Sequence, residues 1–244
     1  MHQMRFRDPA GAVRTGEYDE DEGTVTAAGR THDTDDVDVL PPCEPSKVVC
    51  VGRNYVKHAD ERDEDVPDRP LLFLKPPNAV AGHGDTTPLP ADRYVEHEAE
   101  LAVVVGEQAR NLDEGDAMDV VAGYTAANDV SNRTDQDEEQ NWVRGKAFDG
   151  ACPLGPVLAS PDEVPDDAAV ELRVNGELRQ SSSIEHFVFD VPELLAEITE
   201  FVTLEPGDVV LTGTPAGVDE LTDGDRVEVE VEGVGTLEHD VARE

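Results

Sequence analysis

The chain has 244 residues, a formal net charge of −37 and no run approaching the ~20 apolar residues that cross a bilayer as a helix. That length accommodates one sizeable core with a small appendage, and so acidic a surface repels phosphates, which excludes nucleic acid and a membrane span from the expected roles. The acids come in runs ("EYDEDE", "DTDDVD", "DERDED", "DQDEE") between apolar segments that recur to the end, as in a folded domain with a solvated acidic exterior. Such a surface suits a salt-rich cytoplasm, because at ~1 M salt the Debye length shrinks to about 3 Å and self-repulsion is screened.

Residues 1–45 are polar, with short alternating pieces such as "GTVTAAG", and predict a small N-terminal β segment. The opening residues show neither an apolar stretch nor a small-residue cleavage site, so a cytoplasmic location is expected. Pro41, Pro42 and Pro45 in "PPCEPS" read as a linker, which places the main domain at 46–244. "KVVCVG" (47–52) is a short apolar strand ending at Gly52, and "NYVKHADERDED" (54–65) is an exposed helix or loop stopped by Pro67. "PLLFLKPP" (70–77) is a strand closed by two prolines, and "HEAELAVVVG" (97–106) is a buried one.

The spacing of Ala117, Val120 and Val121 predicts one amphipathic helix over "EGDAMDVVAGY" (114–124), followed by a strand in "YTAANDVS" (124–131). Asn175-Gly176 between alternating residues marks a hairpin. Leu194, Leu195, Ile198, Phe201 and Val202 fall at helical spacing after Pro192. "GDVVLTGTPAGV" (207–218) is a strand feeding a glycine-rich turn, and "DRVEVEVEGVGTLEHDV" (225–241) is a pair of strands. With no internal repeat and no regular βαβ alternation, the expected class is β-rich mixed α+β, a rolled sheet with two or three helices. Cys43, Cys50 and Cys152 are odd in number and lack a CxxC spacing, so they read as reduced, packed thiols.

On a strand, residues two apart project from the same face, so Glu98 and Glu100 point together beside the apolar run Leu101–Val105. Two such carboxylates repel unless something neutralises them, and a divalent cation with hard oxygen ligands does so directly. Asp129, in the nearly uncharged stretch "GYTAANDVS", is the third candidate ligand. In so acidic a chain, an isolated E-x-E would more readily face water.

Lysine is scarce: Lys47, Lys57, Lys75 and Lys146 are the only four. Lys146 lies between glycine and alanine near the single tryptophan, where an ammonium can orient an anionic substrate or neutralise a developing enolate. "LTGTPAGV" (211–218) offers backbone N–H groups and the hydroxyls of Thr212 and Thr214 for carboxylate capture. His58 and Glu61, three apart in "GRNYVKHADE", share a face if that segment is helical, as a base held by a carboxylate would.

Taken together, "GRNYVKHADE", "FLKPPNAVAGHGD", "HEAELAVVVG", "GYTAANDVSNRTDQ", "WVRGKAFDGACPLGP", "VNGELRQ" and "LTGTPAGV" resemble the fumarylacetoacetate hydrolase family over about residues 46–244. The resemblance implies a β-roll, a homodimer, and a Mg²⁺ or Mn²⁺ held by Glu98, Glu100 and Asp129. It implies a 2-oxo acid substrate contacted by Lys146, Gln136, Arg133 and Thr214. Arg53 and Asn54 would begin a lid carrying the His58–Glu61 dyad of members that hydrolyse C–C bonds. The expected reaction is therefore hydrolysis of an acylpyruvate or fumarylpyruvate to pyruvate and a carboxylate, with oxaloacetate decarboxylation able to coexist. Isomerisation of a 2-hydroxyhepta-2,4-diene-1,7-dioate or 5-carboxymethyl-2-hydroxymuconate is the alternative, and a catalytically silent metal-binding scaffold ranks below both. "NDVSNRTDQ" departs from the family pattern at Asn132, Thr134 and Asp135, which bears on the register of Gln136.

Overall fold

The structure, a computed structural model, describes residues 1–55 and 67–243. The chain is mostly strand. A 12-stranded mixed sheet carries a five-stranded one against it, and a small two-stranded pairing joins Val95–Glu96 to Ser131–Asn132. The centre of the large sheet runs in spatial order Cys152–Ala159, Val121–Asn128, Ala99–Val105, Val209–Leu211, Val48–Gly52 and Leu71–Lys75. Most neighbours are antiparallel, but Val209–Leu211 and Val48–Gly52 are parallel. The N-terminal strand His2–Arg7 pairs with Cys152–Ala159, so the polar first strands extend this same sheet.

Ala99–Val105 is buried along its whole length because both faces are covered. Leu101, Val103 and Val105 enter the main core, whereas Ala102 and Val104 enter a smaller cluster with Val48, Cys50, Cys152 and Leu211. Glu100 shares the face of Ala102 and Val104, by the two-residue period of a strand. The continuous apolar run is thus the signature of a central strand.

The hairpin forms as expected, with Ala169–Val174 pairing Glu177–Ser183 around Asn175 and Gly176, both at positive φ. The helix Val191–Phe201 begins with a capping box between Asp190 and Glu193 and buries Leu194, Leu195 and Ile198. Phe201 does not join that face: it is 61% exposed, beneath the Arg69 guanidinium.

The helix expected over 114–124 is corrected. Glu114–Val120 is a 3-10 turn, and Val121–Asn128 is a central strand of the large sheet. Of the expected inner face, Ala117 and Val120 are buried, whereas Val121 is half-buried and opens the strand. The residues of that strand pair with Ala99–Val105 on one side and Cys152–Ala159 on the other, and that pairing overrides the helical spacing. The cysteines are free thiols, Cys50 and Cys152 buried and Cys43 partly so. No helix among the described residues is long and apolar enough to cross a membrane.

Candidate active site

Pairing of the two central strands brings the carboxylates together. Ala99 lies opposite Asn128, and Asp129 N–H donates to Glu98 carbonyl oxygen at 2.8 Å, so the acids converge where the ladder ends. One carboxylate oxygen from each of Glu98, Glu100 and Asp129 lies within 4.8 Å of the others, and all three residues are buried. Ala127, opposite Glu100, adds only a methyl to that face.

Each acid is held differently. Gly213 N–H donates to Glu100 Oε2 at 2.6 Å. That turn needs glycine: its φ is +98°, and an added Cβ would sit 2.8 Å from Asn54 Cβ. Arg133 binds Glu96 Oε2 through Nε at 2.6 Å and also reaches Glu98 Oε1. Lys146 Nζ spends its donors on Glu98 Oε2 (2.7 Å), Asp129 Oδ2 (2.8 Å) and Ser131 Oγ (2.5 Å).

Two short helices deliver these cations. Arg133–Glu138 is capped by Asn132, whose Oδ1 accepts from Asp135 N–H. Arg133 and Gln136, three apart on this helix, both line the cavity. The departures at 132–135 therefore anchor the helix: Asp135 Oδ2 accepts from Asn132 Nδ2 at 2.6 Å and Arg93 Nε at 2.9 Å, and Thr134 Oγ1 accepts from Tyr94 N–H. The helix Val143–Lys146 packs so closely on it that a Cβ at Gly145 would lie 2.8 Å from Gln136 Cβ.

Burial and like charge dominate the electrostatics of the three acids. Burial pushes the Glu100 carboxyl well above its ordinary range, and repulsion from Asp129 and Glu98 adds to this. Glu100 has no cationic partner among the described residues. Burial opposes the charge on Lys146, yet Asp129 and Glu98 overcome it and raise its pKa. Burial likewise opposes Arg133, and Glu98 and Glu96 prevail. Among the described residues Lys75 and Lys146 pair with Asp129, Lys146 and Arg133 with Glu98, and Arg133 with Glu96, so Glu100 is the acid of the Glu98, Glu100 and Asp129 set without an ion pair there, while Arg53 lines the same cavity. A hard divalent cation fits this all-oxygen set, and the triad is where it would be held.

The cavity above the triad has a volume of about 140 Å³. Arg53, Arg133, Gln136, Lys146 and Thr214 line its polar side, and Phe73 and Trp142 meet edge-on as an aromatic wall. Lys146 Nζ lies 4.9 Å from the Phe73 ring centre.

Of the expected site residues, Glu98, Glu100, Asp129, Lys146, Arg53, Arg133, Gln136 and Thr214 surround this one cavity. Asn54 stands apart from it. Its Nδ2 donates to Phe189 O and Thr212 O, and its Oδ1 accepts from Phe189 N–H, so it clamps loops together beneath the turn. The Thr212 hydroxyl is likewise spent, donating to Leu101 O at 2.8 Å. His58 and Glu61 lie outside the described residues.

Reading the sequence missed Lys75. It is fully buried, with Nζ 2.7 Å from Asp129 Oδ1 and 2.8 Å from Ala151 O. Its signal was there: a rare lysine inside an apolar strand must be paired when the strand is buried. Glu96, Ser131 and Phe73 were missed too, having no mark in the sequence beyond their neighbours.

Known proteins resemble this chain over most of its length. Residues 47–242 match the family model described as fumarylacetoacetate (FAA) hydrolase C-terminal. The chain is 39% identical over 215 residues to the oxaloacetate tautomerase YisK of Bacillus subtilis, covering 82% of this chain and 71% of that protein. It is 44% identical over 201 residues to the 4-hydroxyphenylacetate degradation bifunctional isomerase/decarboxylase of Escherichia coli, covering 80% of this chain and 46% of that one. The crystal structure of 5-carboxymethyl-2-hydroxymuconate delta-isomerase from Mycobacterium smegmatis superposes with a TM-score of 0.92 at 38% identity, covering 100% of this chain and 99% of that one. The extent of the family match and of these likenesses makes the chain a member of the fumarylacetoacetate hydrolase family.

Proposed function

We propose that this protein is a divalent-metal-dependent enzyme that acts on small 2-oxo acids by drawing the electron pair of a C3 bond toward the 2-oxo oxygen. The observation that carries this reading is the convergence of three buried carboxylates within 4.8 Å at the floor of a cavity lined by Lys146, Arg133 and Thr214. Held by Glu98, Glu100 and Asp129, a Mg²⁺ or Mn²⁺ supplies Lewis-acid stabilisation of the negative charge on that oxygen.

The chain's own residues do the rest. Lys146, kept protonated by Asp129 and Glu98, sets a positive charge beside the reacting end. Gln136 and Arg133 orient the acid from the helix Arg133–Glu138, and Phe73 and Trp142 exclude water on the opposite wall. His58, with Glu61 three residues on in the sequence, is the base we assign to activating a water. Breaking a C3–H bond gives keto–enol tautomerisation or double-bond migration. Loss of carbon dioxide from C3 gives decarboxylation, and attack of a His58-activated water on a distal carbonyl gives hydrolysis of an acylpyruvate. The names of relatives favour the first two outcomes, while the His58–Glu61 motif favours the third, since isomerisation needs no activated water. A homodimer in the cytoplasm is the expected working form.

A spectrophotometric screen in molar KCl with Mg²⁺ tests the reading, comparing acetylpyruvate, fumarylpyruvate, oxaloacetate and a hydroxymuconate-type diene-dioate. Metal-dependent loss of enol absorbance, absent in Glu98→Ala, is expected for at least one substrate. Loss of acylpyruvate absorbance that also requires His58 identifies the hydrolase, and turnover of the diene-dioate alone identifies the isomerase. No metal-dependent change with any of the four overturns the reading.

A further inference from the structure

Gln180, at the end of the hairpin motif "VNGELRQ", is 1% exposed and spends its whole amide on the site's framework. Its orientation is forced. Ala99 N–H donates to Oε1 at 3.0 Å, and Pro215 carbonyl oxygen accepts from Nε2 at 2.8 Å. The other lone pair of Oε1 faces His97 Nδ1 at 3.0 Å, so the imidazole carries its proton there. The second Nε2 proton goes to Thr214 Oγ1 at 2.8 Å.

This last bond has a consequence at the cavity. Thr214 Oγ1 accepts from Gln180, and its own proton has no other hydrogen-bond partner among the described residues. Thr214 lines the cavity, on the same turn whose Gly213 N–H holds Glu100. We infer that Gln180 is a positioning residue that fixes Thr214 as a hydrogen-bond donor to the carboxylate of a bound 2-oxo acid, an inference that rests on the 2-oxo acid reading. The same amide grips Ala99 between Glu98 and Glu100, so one side chain ties the cation-holding strand to the substrate-holding turn.

Oxalate, a small dicarboxylate analogue, is the probe. It is titrated calorimetrically into the full-length protein saturated with Mg²⁺, and Mn²⁺ affinity is measured separately without oxalate. Losing a hydrogen bond to a charged group weakens binding about 10- to 100-fold, and Thr214→Val is expected to do so while Thr214→Ser keeps most of the affinity. Gln180→Met weakens oxalate comparably and leaves Mn²⁺ affinity within about threefold, as expected for a bond outside the ligand set. In the Thr214→Val background, Gln180→Met adds nothing further. Gln180→Glu keeps acceptors for Ala99 and His97 but turns the partner of Thr214 and of the Pro215 carbonyl into an acceptor, so it is scored only if its melting curve shows a folded protein, and it is then expected to lose oxalate.

Wild-type-like oxalate binding by Gln180→Met or Gln180→Glu overturns the inference. So do losses that multiply in the double variant, or a fall in Mn²⁺ affinity matching the fall for oxalate, which would mark a purely structural grip on the Ala99 strand. Wild-type protein that takes up no oxalate removes the 2-oxo acid reading itself, and the role of the Thr214 proton falls with it.

Discussion

Two strands of this protein carry glutamates two residues apart, and they meet opposite fates. In Arg226–Val231, Glu228 and Glu230 stand on the outer face while Val227, Val229 and Val231 are buried. Glu230 is 53% exposed, faces Glu171 and Thr236 across the sheet, and has Arg173 nearby. At the mouth of Ala99–Val105, Glu98 and Glu100 are 5% and 2% exposed, and Ala99 between them is buried as well. The same spacing gives the same shared face; only burial differs. Water screens the first pair, whereas the second is answered by Lys146, Arg133 and the Gly213 N–H. Within the sequence, the residues C-terminal to each pair carry the difference. Continued alternation marks a strand with one wet face, and an unbroken apolar run marks one covered on both.

The sharpest way to break this contrast is to remove a ligand. Asp129→Asn should abolish metal-dependent turnover, by more than the about 10–100-fold that loss of an outer partner costs, as read from initial rates over a Mg²⁺ titration. Lys75→Met comes next. It strips a fully buried ammonium from Asp129 and should cost about 3 kcal/mol in urea denaturation, the low end for a broken buried pair because Lys146 also faces Asp129. A loss under about 0.5 kcal/mol, the range of ordinary surface changes, would show that Asp129 needs no second cation.

Gly145→Ala acts on position alone. The new Cβ would press on Gln136 at 2.8 Å and move Lys146, and misplacement of that order lowers kcat/KM by up to about 100-fold while the melting curve shifts little. Smallest of all, Glu228→Gln and Glu230→Gln should each change stability by no more than about 0.5 kcal/mol and leave turnover intact.

Much of the site could be read from the chain because acids are so common in it. Asp129 stood out by lying in an uncharged stretch, and Lys146 by being a lysine at all. Strands with an unbroken apolar run or an Asn-Gly turn were equally legible, since those signals are local. What escaped depends on distant partners. Ala117 and Val120 fit a helix and a 3-10 turn equally well, and only the pairing of Val121–Asn128 between two strands decides. Phe201 kept helical spacing but ran past the end of the surface it would cover. Asn54 sits beside Arg53 in the chain, yet its amide is consumed by Phe189 and Thr212, more than a hundred residues away. Lys75 and Gln180 act through residues far from them in sequence, so the rarity of lysine marks Lys75 as needing a partner without saying which, and nothing local marks Gln180.

The central claim is that the buried pair, unlike the exposed one, exists to hold a cation. Calorimetric titration of Mn²⁺ into the wild-type protein, Glu100→Gln and the Glu228→Gln/Glu230→Gln double variant, all in molar KCl, tests it directly. One tight site per chain is expected in the wild type and in the double variant, and none in Glu100→Gln. Equal Mn²⁺ binding by all three proteins, or no saturable site in the wild type, would contradict the account.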